Sequence, residues 1–220
     1  MRNFNFICSI VLVVTLPLMI VILSSNLILR VSSTYVFHFN DSQVVSEVPY
    51  NIEGTEFADE IASYWSSFDD EPFQVYEDNG MFKDEVFEKD EQTVMEKAKY
   101  VLNIELAAGV LCLVFSTAIY IYLLKSGFGL ALRNRYKVCA GITAVLLLLR
   151  VVVCFLKPFR TWLYASLIGV SLHKDSVLLL LLGDPFFKTY LLFTTIFGVA
   201  LLAIMTYVHH NVTRPDRIFY

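Results

Sequence analysis

The sequence predicts a mainly α membrane protein: a four-transmembrane-helix bundle with a small extracytoplasmic α/β cap between helices 1 and 2. Three observations predict it. Of the 220 residues, 56% are hydrophobic and 17% charged, with a mean hydropathy of +0.60, well short of the charged quarter that a soluble domain carries. Four apolar runs are long enough to cross a hydrocarbon core of about 30 Å. Acidity is concentrated in one segment between the first two runs. These features exclude a simple cytosolic domain and a disordered chain. With 9 Gly, 6 Pro and 4 Cys, a collagen-like repeat and a secreted disulfide scaffold are excluded as well.

Span one covers Phe6 to about Leu29, span two Tyr100 to Leu124, span three Val138 to Leu156 and span four Phe186 to Val208. The link between spans two and three carries Lys125, Arg133, Arg135 and Lys137 with no acid, and the tail after span four carries Arg214 and Arg217. The positive-inside rule puts both in the cytoplasm, so both termini lie inside. Cleavage of the first run as a signal peptide, near Ser24 and Ser25, is the alternative; the run is long for such a segment and lacks an A-x-A pattern. Gly127 and Gly129 read as a turn in the basic link.

The domain organisation is then 1–30, the first span; 31–99, an acidic extracytoplasmic domain; and 100–220, spans two to four with an outer-face element at 157–185. In that element two short apolar pieces, Thr161–Leu172 and Val177–Leu182, flank His173, Lys174 and Asp175. A full crossing would bury the charged triplet, so the element is read as interfacial or re-entrant.

Between Val31 and Ala98 there are seventeen Asp or Glu against three Lys, a local net of −14 in a chain whose total is −4. Such a surface repels phosphates, which excludes nucleic acid as a partner. The segment still carries folding periods. Thr34–Phe39 alternates and Gln43–Val48 is rich in β-branched residues, so both read as strands. Phe57, Ile61, Tyr64, Trp65 and Phe68 recur at helical spacing, with Thr55 as N-cap. Phe73–Tyr76 alternates again before an Asp78-Asn79-Gly80 turn. From about Asp90 an acid-started helix runs into span two.

Cys8, Cys112, Cys139 and Cys154 all fall within spans, so no disulfide framework exists in the acidic segment and no spacing matches a metal site. No phosphate loop, dinucleotide fingerprint, zinc-protease helix or serine-hydrolase elbow occurs, and no cofactor or metal is expected.

Ionisable groups inside spans are costly, which marks them as informative. Glu105 and Arg150 fall at similar depth, roughly 8 Å below the outer surface at helical rise, and are read as an ion pair or a shared polar network; Asn26, Arg30 and Asn103 are placed to join it. His38 and His173 are the outward histidines. His38 reads as a surface or packing residue. His173, beside Lys174 and Asp175 where lipid esters would lie, is the better candidate for a general base. The candidate catalytic set is therefore His173 as base, Asp175 as its orienter, and Arg150 as electrostatic stabiliser held by Glu105.

Asn26–Arg30 (NLILR), Phe39–Ser42 (FNDS), Phe73–Tyr76 (FQVY), Phe87–Val101 (FEKDEQTVMEKAKYV) and Asp175–Phe187 (DSVLLLLLGDPFF), in this order within a four-span layout, resemble a family of bacterial integral membrane proteins that includes the lipoprotein intramolecular transacylases. The resemblance implies a plasma membrane enzyme that moves an acyl chain within a diacylated lipoprotein, from the glyceryl group to the α-amino group of the terminal cysteine, without a cofactor. Its partners would be the lipid bilayer and diacylated lipoproteins. The resemblance also implies two outward histidines. One should precede a Met at the entry of span two, where this chain has Val94 before Met95; the other should follow a Phe after span three, where Phe159 to Trp162 contains none. The alternative function is a non-catalytic membrane protein whose acidic domain binds another envelope protein.

Overall fold

The computed structural model describes residues 2–50, 52–69, 71–78, 83–168 and 176–213. In chain order its elements are α1 (Arg2–Leu29), α2 (Ser32–Ser42), a 3-10 turn (Val44–Glu47), α3 (Gly54–Ser66), β1 (Tyr76–Asp78), β2 (Lys83–Glu85), α4 (Lys89–Lys125), α5 (Gly129–Phe155), α6 (Lys157–Ile168), α7 (Val177–Leu182) and α8 (Asp184–Val212). Four helical stretches, Phe4–Leu29, Lys89–Lys125, Ala131–Phe155 and Val177–Val212, are long and apolar enough to span a membrane. No more than a third of the apolar window in any of them is buried against protein. The remaining apolar surface requires lipid, and the chain is a helical membrane protein.

The ends of these helices follow from their sequences. α4 opens with Asp90 and Glu91 and closes with Lys125, matching charge to the helix dipole. Glu91 also reaches back to accept from the Glu88 N–H at 2.7 Å, half of a capping box. The turn into α5 uses Gly127 at φ +73, with Phe128 N donating to Leu123 O and Gly127 N to Leu124 O. That is the paired hydrogen bonding of a left-handed helix stop, a conformation glycine adopts without penalty. α5 gives way to α6 next to Pro158, which offers no N–H to prolong the first helix.

The segment between α1 and α4 departs from the sequence reading. Thr34–Phe39 is helical, not a strand, and buries Thr34, Tyr35, His38 and Phe39, a spacing of one helix face. Phe37, which a strand would have placed beside Tyr35 and Phe39, is exposed on the helix and meets Phe193 edge to face at 5.2 Å. An aromatic run with apolar residues at nearly every position satisfies both periods, and packing selects the helix. Gln43–Val48 is likewise no strand: Gln43 takes φ 52 to end α2, and the chain tightens into the 3-10 turn. α3 forms where expected but starts one residue before Thr55, with Glu53 in the cap position. The strand read at Phe73–Tyr76 starts at Tyr76 and pairs antiparallel with β2, Tyr76 opposite Glu85 and Asp78 opposite Lys83. This hairpin is the sheet among the described residues, so an α/β cap is reduced to a helical segment with one ribbon. Asn79 and Gly80 lie outside the described residues.

The chain divides into two compact units. Unit 1 comprises residues 1–24, 106–149 and 195–220, and unit 2 residues 25–105 and 150–194. The core of unit 1 is built on Leu12, Leu16, Ile20, Leu123, Leu132 and Cys139. Unit 2 packs Tyr35, Phe57, Ile61, Phe73, Phe87 and Leu181 into an aromatic-rich core. In it Phe73 and Phe87 rings lie 4.7 Å apart and Tyr35 stacks on Phe186 at 5.1 Å.

Candidate functional site

Unit 2 gathers several charged and polar side chains that lie near span ends. At the end of α1, Asn26 is fully buried and donates through Nδ2 to the Leu102 carbonyl at 2.6 Å. Arg30, one turn later, donates from Nε to Asn26 Oδ1 at 2.9 Å and from Nη2 to Asn103 Oδ1 at 2.8 Å. Its Nη1 donates to the Trp65 carbonyl at the end of α3, and its guanidinium lies 5.6 Å from the centre of the Phe68 ring. The spacing of Asn26 and Arg30 puts both on one helix face, and Asn103 faces them. Burial lowers the Arg30 pKa from its ordinary value.

Arg150, near the end of α5, donates from Nη2 to Ser25 Oγ. Glu105 and Tyr190 lie within the range over which the Arg150 charge acts, and the Tyr190 hydroxyl also bonds Ser25. Of the four sequence-predicted site residues, the structure therefore places Arg150 on Ser25, which Tyr190 also bonds, with Glu105 within electrostatic range of it. The other two, His173 and Asp175, lie outside the described residues.

His38 was read from the sequence as a surface or packing residue; it is 2% exposed on α2. Its ring meets Phe186 edge to face at 5.4 Å, the Leu181 carbonyl accepts from it, and Nδ1 lies 3.5 Å from the Thr189 hydroxyl. Burial lowers its pKa from 6.5, opposed by Asp41 and the Leu181 carbonyl. Burial therefore favours the neutral ring, with Nδ1 turned toward a hydroxyl. The strand period concealed this, because it separates His38 from the face that its helix buries.

Two further pairs were not anticipated. Arg160 on α6 engages Asp184 through Nε–Oδ1 at 2.8 Å and Nη2–Oδ2 at 2.6 Å, and donates to the Cys154 carbonyl at 2.5 Å. The carboxylate beside it raises the Arg160 pKa above its ordinary value. Lys99 donates to Asp69 Oδ1 at 2.9 Å, to the Asp69 carbonyl and to Ser67 Oγ, while its ammonium sits 4.3 Å from the Tyr64 ring centre. The Lys99 bond is the main cause that holds the Asp69 carboxyl below its ordinary range, and burial pushes the Tyr64 hydroxyl up to about 12. The only sequence signal for either pair is an unmatched charge beside an apolar run.

Val94, where the family resemblance expects an imidazole, is 7% exposed and lies with Met95 in the apolar core of unit 2. Arg160 occupies the step after Phe159, already committed to Asp184. Among the described residues no group of three or more His, Cys, Asp or Glu is placed to hold a metal ion.

No family model and no curated protein matches the chain. Solved structures do match over nearly its whole length. They are of the membrane integral lipoprotein intramolecular transacylase Lit from Bacillus cereus. One covers 96% of this chain and 98% of that chain at 14% identity and a TM-score of 0.72. A form with one histidine replaced by alanine covers 99% and 97% at 15% identity and a TM-score of 0.72. A form with that histidine replaced by arginine covers 96% and 92% at 15% identity and a TM-score of 0.70. This chain has the fold of that transacylase, with valine and arginine where the sequence resemblance calls for histidines.

Proposed function

We propose that the chain acts in the bacterial plasma membrane as an acyl-transfer protein of the transacylase kind, moving an acyl chain within diacylated lipoproteins at the outer face. The observation that carries this reading is the extent of the fold likeness, which covers 96–99% of this chain and 92–98% of the transacylase. In this reading both termini are cytoplasmic, residues 31–99 face outward, and the element at 157–185 lies at the outer interface.

The reaction needs little more than a base, a positive or donating environment for the oxyanion, and two groups of one substrate held together. The α-amino nitrogen attacks the ester carbonyl carbon and the base takes the amine proton. The carbon–oxygen bond to the glyceryl group then breaks, and the proton returns to the glyceryl oxygen. We assign the base to His173, with Asp175 as its orienter, and stabilisation of the oxyanion to Arg150. The cluster of Arg150 with Glu105, Ser25 and Tyr190 supports the latter role, because it fixes a guanidinium near the end of a span. His38 is the other histidine that this reading places on the outer side.

The test is mass spectrometry of the N-terminal lipopeptide of a diacylated reporter lipoprotein, made in a bacterial host with and without this chain. An N-acylated, mono-O-acylated peptide is expected with the chain, falling by about 100-fold or more in His173→Ala. Retention of product in His173→Ala with loss in His38→Ala moves the base to His38. No product from a folded, membrane-inserted chain overturns the reading. One observation favours a second reading, a non-catalytic membrane protein whose acidic segment binds an envelope protein: Val94 is packed into an apolar core. Under that reading no variant changes the lipopeptide, and crosslinking from 31–99 captures one defined envelope protein.

A further inference from the structure

Unit 1 encloses a cavity of about 180 Å³ among its long helices. Leu16, Met19, Leu113, Met205 and Val208 give it an apolar wall. Three hydroxyls on its lining are engaged within the protein. Ser116 donates back to the Cys112 carbonyl, Tyr136 pairs with Thr206 Oγ1 at 3.0 Å, and Tyr120 with His209 Nδ1 at 2.6 Å. One buried group is left over. His209 lines the cavity, is 6% exposed, and its Nε2 has no hydrogen-bond partner among the described residues.

The chemistry of the missing partner can be read from the ring. With the Tyr120 hydroxyl donating to Nδ1, Nε2 is the ring atom that carries the imidazole hydrogen. The ring is held flat against Tyr136, centroids 4.0 Å apart, and cannot turn that N–H elsewhere. A buried donor left without an acceptor is costly. Water answers it poorly, since a buried water needs two to four polar partners and the Ser116, Tyr120 and Tyr136 hydroxyls on this wall are already engaged. The complement is a molecule with an apolar body and an acceptor oxygen. Arg133 and His210 lie within electrostatic range of His209 and favour an anionic one. Leu113 and Val208, each more than two-fifths exposed, leave the side between α4 and α8 open for a chain longer than the cavity.

We propose that this cavity is a binding site for a long-chain fatty acid, its carboxylate accepting from His209 Nε2 and its first methylenes lying against Met19 and Met205. The site is independent of the transacylase reading, and a failed lipopeptide assay leaves it standing.

The test uses the purified full-length chain in maltoside detergent with a diazirine-bearing palmitic acid, and maps the labelled residues by mass spectrometry. Labelling is expected around Leu113 and Met205. Competition by palmitate should be about tenfold stronger than by hexadecanol, the weight of one charge-assisted hydrogen bond. His209→Phe should remove that tenfold preference, and His209→Gln, which keeps a donor, should retain most of it. Equal competition by the acid and the alcohol, labelling spread along the lipid-facing helices, or an unchanged preference in a folded His209→Phe chain overturns the proposal.

Discussion

Arg160 and Asp184 meet as a two-pronged ion pair at 2.8 and 2.6 Å, joining the first turn of α6 to the first residue of α8. The guanidinium side chain is 9% exposed and the carboxylate 25%. Removing the carboxylate leaves a buried cation with the Cys154 carbonyl as its remaining partner. Asp184→Ala should therefore cost about 3 kcal/mol of stability, the low end for a broken buried pair. Arg160→Lys should recover only part of the pair, because an ammonium cannot fork. Thermal unfolding in detergent measures both.

The Arg30 hub makes a separate demand. Asn26, Asn103 and the Trp65 carbonyl all accept from one guanidinium, and a lysine can reach at most part of that set. Arg30→Lys should destabilise by about 2 kcal/mol, and Asn103→Ala by about 1 to 2, since each leaves buried polar groups unanswered. If the double variant loses the sum of the two, the hub is not one network; a smaller loss shows coupling.

His38 should make stability depend on pH. Its folded-state pKa lies below 6.5, so between the two values the unfolded chain binds the proton that the folded chain refuses. The contribution is whole above pH 6.5 and is lost as pH falls through the folded value. Unfolding temperature from pH 7.5 to 5 should fall in the native chain and fall less in His38→Phe; parallel curves would refute the assignment.

Gly183 sits between α7 and α8, where an added Cβ would run into the Leu179 backbone carbonyl. That oxygen belongs to a helix and cannot swing aside. Gly183→Ala should displace the start of α8, cost about 2 kcal/mol or more, and weaken the Arg160–Asp184 pair with it. A double variant with Asp184→Ala should then lose much less than the sum, by the same unfolding measurement.

Much of this organisation was legible in the sequence, and the reasons differ by element. The four spans were plain because length and hydropathy alone specify them. α3 was plain because its apolar spacing fits a helix, and the approach to span two because acidic residues open it. Depth along the spans picked out Asn26, Arg30 and Asn103 as polar partners of Glu105 and Arg150, whereas their hydrogen bonds centre on Arg30. Thr34–Phe39 misled because its apolar residues fit two periods, and only the face offered by Phe186 and Leu181 decides between them. Depth also brought Glu105 and Arg150 to one level but said nothing of rotation, which depends on how Ser25 and Tyr190 are presented. The Arg160–Asp184 pair was invisible because the residues between them carry no period that brings their ends together.

Glu91 caps more than its own helix. Its Oε1 accepts from Ser176 Oγ at 2.5 Å and from the Leu178 N–H at 2.9 Å, so one side chain serves the start of α4 and the start of α7. α7 has six residues, too few to persist as an isolated helix. It must then form late in biosynthesis, after a nascent chain already holding Glu91 has been extended past Leu178 and has doubled back on itself. Until that moment Glu91 is a carboxylate awaiting burial, and a ribosome stalled before Ser176 would leave the entrance of the second span unlocked.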